Sequence, residues 1–342
     1  MIERQAVRQY RYQRSRQRYQ EKRQRKNWVL YKRSAKERRR NKIDVSQSHS
    51  QRKVIKLNAP ESLSLIENTN ETLKYFGTCR NMLKKGRYVF LDISNVTKLG
   101  VEVITLLAAL VNDSSFRGKG RITGNAPKDP VLKRTFCESG FYKYVNASKE
   151  MKNVQNINRN LFHKENSYKV ATDIAKEACL YGIQYVWDEP RIIESLYENL
   201  IEAMSNTNTH ASGRNEEKVK WWMYVYNVPV KKTSQYIFVD LGVGIFDSVP
   251  VHAFKKLSRK IGISHNAELV PDLLAGKIKS RVELDNKMRG KGIPQISLNS
   301  KSDCFSQAYI LSNDVMIDLR SEVAMALKSS LNGTLMFFEL SR

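Results

Sequence analysis

The chain has 342 residues, a formal net charge of +25 at pH 7 and 41% hydrophobic residues. This length suits two domains and a tail, with each domain large enough to bury its own core. No apolar run could cross a membrane, and the four cysteines are too scattered for a disulfide framework or a zinc site. The composition excludes a disulfide-rich secreted protein and predicts a cytoplasmic one.

Residues 1–53 form a basic segment that is predicted to be a helical or disordered arm. Residues 1–45 contain 17 Lys or Arg against 4 Asp or Glu, with interleaved rings such as Tyr10, Tyr12 and Trp28. Such a segment has too few apolar residues to bury a face of its own. Phosphate neutralisation and ring stacking make nucleic acid the leading partner, with an acidic protein surface or the rest of this chain as alternatives. The predicted contacts are Arg11, Arg14, Arg16, Arg18, Lys22, Arg23, Arg25 and Lys26.

Residues 54–148 alternate apolar runs with amphipathic stretches, as expected for a small α/β domain. The segment RYVFLDISNVTKLGVEVITLLAALVND predicts a buried strand, a turn and an apolar helix, and the strand ends in the sequence LDISNV. This pattern resembles the STAS fold of anti-sigma-factor antagonists. The phosphorylated serine of that family falls near Val101 and Glu102, so phosphorylation there is not expected. Glu102 either mimics a phosphoserine charge or is a carboxylate at a helix N-terminus.

Residues 149–168 are polar and rich in Asn, and we interpret them as a linker to a second domain, residues 169–342. The segment KVATDIAKEACLYGI has helical periodicity, as does RIIESLYENLIEAMSN. On that second helix, Glu202 and Asn206 are one turn apart on one face. An amide oxygen can ligate Mg²⁺ there, beside a carboxylate able to deprotonate a water or a hydroxyl group. The alternative is a solvated Glu and an Asn that ends the helix.

Two glycine-containing motifs follow. In YIFVDLGVGIFD, a predicted strand ends at Asp240, and Gly242 and Gly244 would let the backbone approach a ligand. The alternative is an ordinary strand-to-turn exit with Asp and Gly in their usual roles. In MRGKGIPQISL, glycines precede a predicted helix whose first N–H groups can meet a phosphate. The residues expected to contact phosphate in this motif are Arg289, Gly290, Lys291 and Gly292.

The order and spacing of these motifs, together with the predicted final strand LNGTLMFFEL, resemble the Bergerat-fold ATPases, the superfamily of DNA gyrase and the histidine kinases. Within it, EAMSNTNTH is similar to the first motif of the anti-sigma-factor serine kinases. The resemblance implies a two-layer α/β sandwich that binds ATP and Mg²⁺. It implies that Glu202 is the general base, Asn206 the Mg²⁺ ligand, Asp240 the adenine contact and Thr334 a hydroxyl near the nucleotide. Residues 248–287, a polar and basic stretch between the second and third motifs, have the length expected for a mobile lid over the phosphates, and a short helical insertion with no gating role is the alternative.

The predicted function is that of a cytoplasmic, bacterial regulatory protein whose ATP binding or slow hydrolysis switches an interaction with a protein or nucleic-acid partner. A protein serine kinase that acts on a separate partner and an adaptor with a decayed ATP pocket are the alternatives. The resemblance also favours a homodimer, and no membrane association is expected.

Overall fold

The computed structural model describes residues 54–116, 120–145, 161–167, 169–210, 219–248, 265–278 and 292–342. The fold is mixed α/β, as predicted, and the chain from Val54 to Arg342 forms a single unit. The basic arm lies outside the described residues, together with its eight predicted nucleic-acid contacts. Among the described helices, none combines the length and the apolar character that a membrane crossing requires.

The N-terminal part of this unit contains a small parallel sheet with strand order β1-β3-β5. Its strands are β1 (Val54–Asn58), β3 (Tyr88–Asp92) and β5 (Arg121–Gly124), and the short strands β2 (Ser62–Leu63) and β4 (Lys98–Leu99) pair separately. Its helices are α1 (Thr69–Lys84), α2 (Val101–Val111) and α3 (Pro130–Glu138), with 3-10 turns at Ser114–Phe116 and Phe141–Tyr144. The predicted buried strand and apolar helix are therefore confirmed as β3 and α2.

The C-terminal part contains an antiparallel sheet with strand order β6-β7-β8-β10-β9. Its strands are β6 (Leu161–Ser167), β7 (Trp221–Val228), β8 (Thr233–Asp240), β9 (Phe305–Asp318) and β10 (Val323–Leu340). Its helices are α4 (Thr172–Trp187), α5 (Glu194–His210), α6 (Ile245–Ser248), α7 (Val270–Leu274) and α8 (Gly292–Asn299), with a 3-10 turn at Asn266–Leu269. The helices predicted from periodicity are confirmed as α4 and α5, and the predicted final strand is confirmed as β10.

Both faces of the five-stranded sheet are covered. Successive side chains of a strand point to opposite faces, so the residues of one strand show which core covers each face. In β7, Trp221, Met223 and Val225 pack in the core beneath α4 and α5, whereas Trp222 and Tyr224 pack in the core that contains α1 and α2. Helix α1 lies against β10, and α2 lies against β7 and β8. The expected two layers of the second domain thus gain a third layer from the N-terminal part, with which they share a hydrophobic core.

The segment predicted as a linker, residues 149–168, includes strand β6, which pairs antiparallel with β7. Strand pairing uses backbone N–H and C=O groups, so a polar sequence at a sheet edge can join the sheet without an alternating apolar pattern. The composition of this segment therefore did not indicate the strand.

Glu102 lies in the first turn of α2 and is only 3% exposed. Its Oε1 accepts hydrogen bonds from the Ser64 hydroxyl at 2.7 Å and from the Leu65 N–H at 2.8 Å. Burial raises the pKa of this carboxyl group, while these hydrogen bonds oppose the rise. Glu102 is thus a buried carboxyl group at a helix N-terminus, and its charge is not displayed to a partner as that of a phosphoserine would be.

Candidate functional site

Helix α5 carries the first predicted motif. Leu196, Leu200 and Met204 bury one face of this helix against the sheet, which leaves Glu202 and Asn206 half-buried at its border. The helix continues to His210, so Asn206 lies within it and does not end it. The side chains of Glu202 and Asn206 are therefore held one turn apart on a rigid element.

Helix α8 begins at Gly292, and its first residue lies against this pair. A Cβ atom on Gly292 would be 2.8 Å from Oε2 of Glu202 and 3.0 Å from Oδ1 of Asn206. The absence of a side chain therefore lets the backbone of α8 approach both groups closely. The first N–H groups of a helix have no partner within the helix, so this end of α8 offers donors beside a carboxylate and an amide.

The other end of α8 is fixed to α5 by hydrogen bonds between side chains. Asn299 donates to Oε2 of Glu198 at 2.9 Å and to Oδ1 of Asn199 at 3.2 Å, and Asn199 donates to the Ser300 hydroxyl at 3.4 Å. Asn199 and Ser300 are fully buried. These contacts hold the two helices together and so maintain the approach of Gly292 to Glu202.

Burial affects both side chains of this half-buried pair. Burial raises the pKa of Glu202, and the nearby charge of Glu198 raises it further. The Nδ2 atom of Asn206 is buried and has no hydrogen-bond partner among the described residues. A buried polar atom without a partner carries a desolvation cost, so its position favours a ligand that accepts a hydrogen bond there.

Asp240 ends strand β8 and is 5% exposed. Its Oδ1 accepts a hydrogen bond from the Gly242 N–H at 2.8 Å, and its Oδ2 accepts one from the Thr207 hydroxyl at 3.2 Å. Burial raises the pKa of Asp240 to about 6, against the opposing effect of these bonds and of Thr334. Thr207 belongs to α5, so this contact joins the end of β8 to the helix that carries Glu202 and Asn206.

Strand β10 lies beside this carboxylate, and Thr334 is in register with Asp240. Gly333 has a φ of 122°, and a Cβ atom there would be 2.0 Å from the carbonyl oxygen of Asp240. Only glycine fits this position without a shift of the backbone. The NGT sequence therefore combines a glycine that permits close packing with a threonine next to Asp240.

The turn after β8 is held by two polar residues of β9 that the sequence motifs did not include. Gly244 has a φ of 82°, and a Cβ atom there would be 2.3 Å from Oδ1 of Asn313. Asn313 accepts from the Phe246 N–H at 3.1 Å and donates to the Val243 carbonyl at 3.0 Å. The Ser312 hydroxyl accepts a hydrogen bond from the Ile245 N–H at 2.9 Å and donates one to the Gly333 carbonyl at 2.9 Å.

The structure brings most of the predicted residues into one region. Glu202, Asn206 and Gly292 meet at the start of α8, while Asp240, Gly242 and Thr334 meet at the end of β8, and Thr207 joins the two groups. Gly244 lies in the adjoining turn. The predicted phosphate contacts Arg289, Gly290 and Lys291 lie outside the described residues, as do residues 249–264 and 279–287 of the predicted lid.

Four residues of this region were missed by sequence reasoning. Ser312 and Asn313 interrupt the apolar run AYILSNDVMIDL, which is a usable signal, since polar residues inside a buried strand need partners. Gly333 stands in the NGT sequence beside the selected Thr334. Thr207 follows Asn206 with no pattern that distinguishes it from the other polar residues of SNTNTH.

The sequence matches no protein-family model, and a comparison with curated proteins returned no match.

Proposed function

We propose that this chain binds Mg-ATP at the region formed by α5, β8, the start of α8 and β10, and that ATP binding or slow hydrolysis switches its interaction with a partner. The observation that carries the proposal is the approach of Gly292 to Glu202 and Asn206. It brings Gly292 beside two residues of the first motif that lie 90 and 86 positions earlier in the chain, as a Bergerat-fold ATP site would require.

The residues fit a magnesium ion and phosphate groups. Oδ1 of Asn206 would ligate Mg²⁺, which prefers oxygen ligands and is usually held by few protein groups together with substrate phosphates. When bound, the ion neutralises charge on the phosphates. The Nδ2 atom of Asn206, buried without a partner among the described residues, and the first N–H groups of α8 are donors that would meet phosphate oxygens.

Asp240 fits the contact with adenine. Its two oxygens are oriented by the Gly242 N–H and the Thr207 hydroxyl, so the carboxylate is fixed before a ligand arrives. Each carboxylate oxygen can accept more than one hydrogen bond, which leaves capacity for the exocyclic amine of adenine. The side chain of Thr334 would stand beside the base, on the neighbouring strand.

Glu202 is the proposed general base. A carboxylate is an effective base near neutral pH when its pKa is raised towards the working pH, and burial and Glu198 both act in that direction here. The contact with Gly292 places this carboxylate at the helix terminus where the terminal phosphate is expected. Glu202 would thus orient and deprotonate the attacking water.

The N-terminal part supports a role in partner switching. Its resemblance to STAS domains suggests a docking element, and its helices α1 and α2 lie on the second face of the sheet. Val239 packs in the core that contains these helices, whereas the next residue, Asp240, contacts α5. These two consecutive residues would therefore transmit a change at the nucleotide to the N-terminal part.

The experiment that tests the proposal measures ATP binding, phosphate release and label transfer to protein in the same preparation of the full chain. Wild type is compared with Glu202→Gln and with Glu194→Gln, which alters an exposed carboxylate earlier on α5. We expect Glu202→Gln to retain ATP binding and to lose phosphate release, and Glu194→Gln to behave as wild type. Transfer of the label to an added protein would identify a kinase, and wild type that does not bind ATP would refute the proposal.

We also propose that the arm of residues 1–53 binds nucleic acid, on the strength of its composition alone. Replacing the eight predicted contacts by Gln in the full chain should weaken binding to a single-stranded oligonucleotide. It should also reduce the slope of log affinity against log salt, by about 0.7 for each phosphate that the arm no longer neutralises. No binding to the oligonucleotide even at low salt would point to a protein partner for the arm.

A further inference from the structure

Four cations lie at the amino end of the small parallel sheet in the N-terminal part. Val54 of β1, Tyr88 of β3 and Arg121 of β5 are in register, so the three strands begin in one row. Helix α1 ends shortly before β3 begins. The four cations belong to this row or to the turn that precedes it. These residues, which we call the basic cluster, are Lys84, Lys85, Arg87 and Arg121.

A tight turn joins α1 to β3 and fixes the backbone of the basic cluster. Gly86 has a φ of 71°, a left-handed conformation that glycine adopts without strain. The Gly86 N–H donates to the Leu83 carbonyl at 2.9 Å. The Arg87 N–H donates to the Met82 carbonyl at 3.0 Å. Backbone groups thus satisfy the last carbonyls of α1, as in a Schellman motif, and the two lysines that end the helix are not needed to cap it.

The start of β5 packs directly against this turn. A Cβ atom on Gly120 would be 2.9 Å from the carbonyl oxygen of Arg87 and 2.9 Å from Cδ2 of Leu83, so a larger residue there would require a shift of the chain. Arg121 follows Gly120, and it is in register with Tyr88 on the adjacent strand. Because adjacent strands are about 4.8 Å apart, Arg121 lies beside the turn that carries Arg87. The four cations therefore form one surface.

The positive charge of the basic cluster is exposed. All four side chains are exposed, and none forms an ion pair with a described residue. Asp113 follows α2 and is paired with Arg80 of α1 at 3.7 Å. Asp92, at the carboxyl end of β3, is paired with Lys56 at 2.6 Å. Both carboxylates are thus neutralised by cations outside the cluster, and the amino end of the sheet keeps its positive charge.

The basic cluster lies far along α1 from the contact of this helix with β10. Near the start of α1, the side chain of Asn70 accepts a hydrogen bond from the Lys328 N–H of β10 at 2.9 Å. Lys84 ends the same helix, about 20 Å further along its axis at 1.5 Å per residue. A large ligand can therefore contact the cluster without displacing α1 from the five-stranded sheet.

This surface has the chemistry that recognises the phosphate backbone of a nucleic acid. Interfaces with nucleic acid are much more positively charged than interfaces between proteins, whose cores contain few charged residues. The two guanidinium groups of the cluster can each bind a phosphate through two parallel hydrogen bonds, and the two ammonium groups add point charges. Contacts with phosphates position a nucleic acid but do not select its sequence.

We propose that the basic cluster binds the phosphate backbone of a nucleic acid without sequence preference. The basic arm is joined to the folded unit at Val54, which lies in the row where the three strands begin. The inference extends the partner proposed for the arm to the folded unit, and it rests on that part of the proposed function. It assigns the contact to different residues, so the two contributions can be measured separately.

The test measures binding of the full chain to an oligothymidylate strand at several salt concentrations. In the cluster variant, all four cations of the basic cluster are replaced by Gln. We expect affinity to fall by about tenfold or more at low salt, because each cation that neutralises a phosphate releases counterions. The slope of log affinity against log salt should decrease by about 0.7 for each phosphate that is no longer neutralised, or about 3 for all four.

Two control variants show whether the position of the charge matters. One replaces four exposed lysines at other places of the folded unit by Gln and so removes the same total charge; these are Lys128, Lys176, Lys231 and Lys328. Its affinity and its salt slope should stay close to those of wild type. The other keeps the charge of the cluster by exchanging Lys for Arg and Arg for Lys, and it should bind as wild type does. Thermal unfolding should be similar in all variants, because the substituted side chains are exposed.

The outcomes separate this proposal from the one made for the arm. Wild-type affinity and slope in the cluster variant, together with weaker binding when the eight arm residues are replaced, would overturn the cluster and retain the arm. Weaker binding in the cluster variant alone would retain the cluster and overturn the arm. An equal loss in the four-lysine control would show that only total charge matters and would overturn the site. Binding of wild type to polyglutamate but not to oligothymidylate would replace nucleic acid by an acidic protein as the partner.

Discussion

Gly292 at the start of α8 lies directly against the carboxylate of Glu202, so that a Cβ atom on Gly292 would be 2.8 Å from Oε2 of Glu202. The atom that it would meet is the end of a flexible side chain and not the backbone. The side chain of Glu202 could therefore rotate away at little cost to stability. The position of its carboxylate, in contrast, would change.

This relationship separates stability from activity in Gly292→Ala. We expect the variant to unfold at the wild-type temperature but to hydrolyse ATP on the order of 100-fold more slowly, since a displacement of about 1 Å in a catalytic group has an effect of this size. Thermal unfolding and phosphate release measure the two quantities. ATP hydrolysis by Gly292→Ala at the wild-type rate would show that hydrolysis does not depend on the position of the Glu202 carboxylate.

Gly77→Ala is the matched control for this substitution. Gly77 lies within α1, and a Cβ atom there would have nothing within 4 Å. Alanine is favoured over glycine inside a helix by about 1 kcal/mol, so this variant should be more stable than wild type and should hydrolyse ATP normally.

Asp240→Asn should change the dependence of stability on pH. Burial raises the pKa of Asp240 from 3.8 in a model peptide to about 6 in the folded protein. The protonated form is favoured on folding, so its contribution to stability is full below about pH 4 and is lost as the pH rises through 6. Asparagine does not titrate, so the variant keeps the same stability at this position at both pH values. Between pH 4 and pH 7, the unfolding free energy of the variant should therefore rise by about 3 kcal/mol relative to that of wild type.

Urea unfolding at several pH values measures this gain, and Asp173→Asn, an exposed carboxylate at the start of α4, is the control for loss of one charge. The same Asp240 variant should bind ATP at least tenfold more weakly at pH 7.5, the effect of losing one charge-assisted hydrogen bond. A stability difference that does not vary with pH would contradict the assignment of the raised pKa to Asp240.

Glu198→Gln should move the pH profile of hydrolysis. Glu202 acts as a base only when it is deprotonated, and the charge of Glu198 raises its pKa. Removing that charge should lower the pKa of Glu202, so the acidic limb of the rate profile should move to lower pH. Glutamine can still accept the hydrogen bond from Asn299, which keeps α8 on α5. Glu194→Gln should leave the profile in place, and a shift to higher pH in Glu198→Gln would exclude this electrostatic link.

The positions of Glu202, Asn206 and Asp240 could be predicted because each follows from local structure. Helical spacing places Glu202 and Asn206 on one face, and an apolar run that ends in Asp and Gly indicates a strand exit. The contact between Thr207 and Asp240 could not be predicted, because it joins two polar side chains 33 positions apart through the packing of α5 on the sheet. Local patterns do not specify which polar groups meet across such a contact.

The helices that cover the second face of the five-stranded sheet could not be predicted from local patterns either. Strand β7 has the sequence WWMYVYNV, in which nearly every residue is buried, so burial on both faces could be inferred from its lack of alternation. The identity of the covering elements could not. Helices α1 and α2 precede β7 by more than 100 positions, and their apolar faces carry no information about which sheet they bury.

Asn313 provides the last prediction, because it combines a left-handed backbone with a buried amide. Its φ is 52°, and its side chain holds the turn after β8 through Val243, Phe246 and Asp247. Asn313→Gly relieves the backbone but leaves the Phe246 N–H and the Val243 carbonyl without this partner. We expect a loss of about 1–3 kcal/mol in unfolding free energy, together with weaker ATP binding, since the turn that contains Gly242 and Gly244 becomes less fixed.

Lys232→Gly separates the two effects of Asn313→Gly, which are the relief of a left-handed backbone and the loss of the hydrogen bonds of a buried amide. Lys232 has a similar φ of 53° and is exposed, and its ammonium group forms a surface ion pair with Asp188 at 2.9 Å. Exposed ion pairs of this kind contribute about 0–1 kcal/mol, so this variant should change stability little and should bind ATP normally. Urea unfolding and calorimetric titration with ATP compare the two variants. If Asn313→Gly is as stable as Lys232→Gly, the buried amide does not hold the turn, and the backbone of Asn313 alone explains the residue.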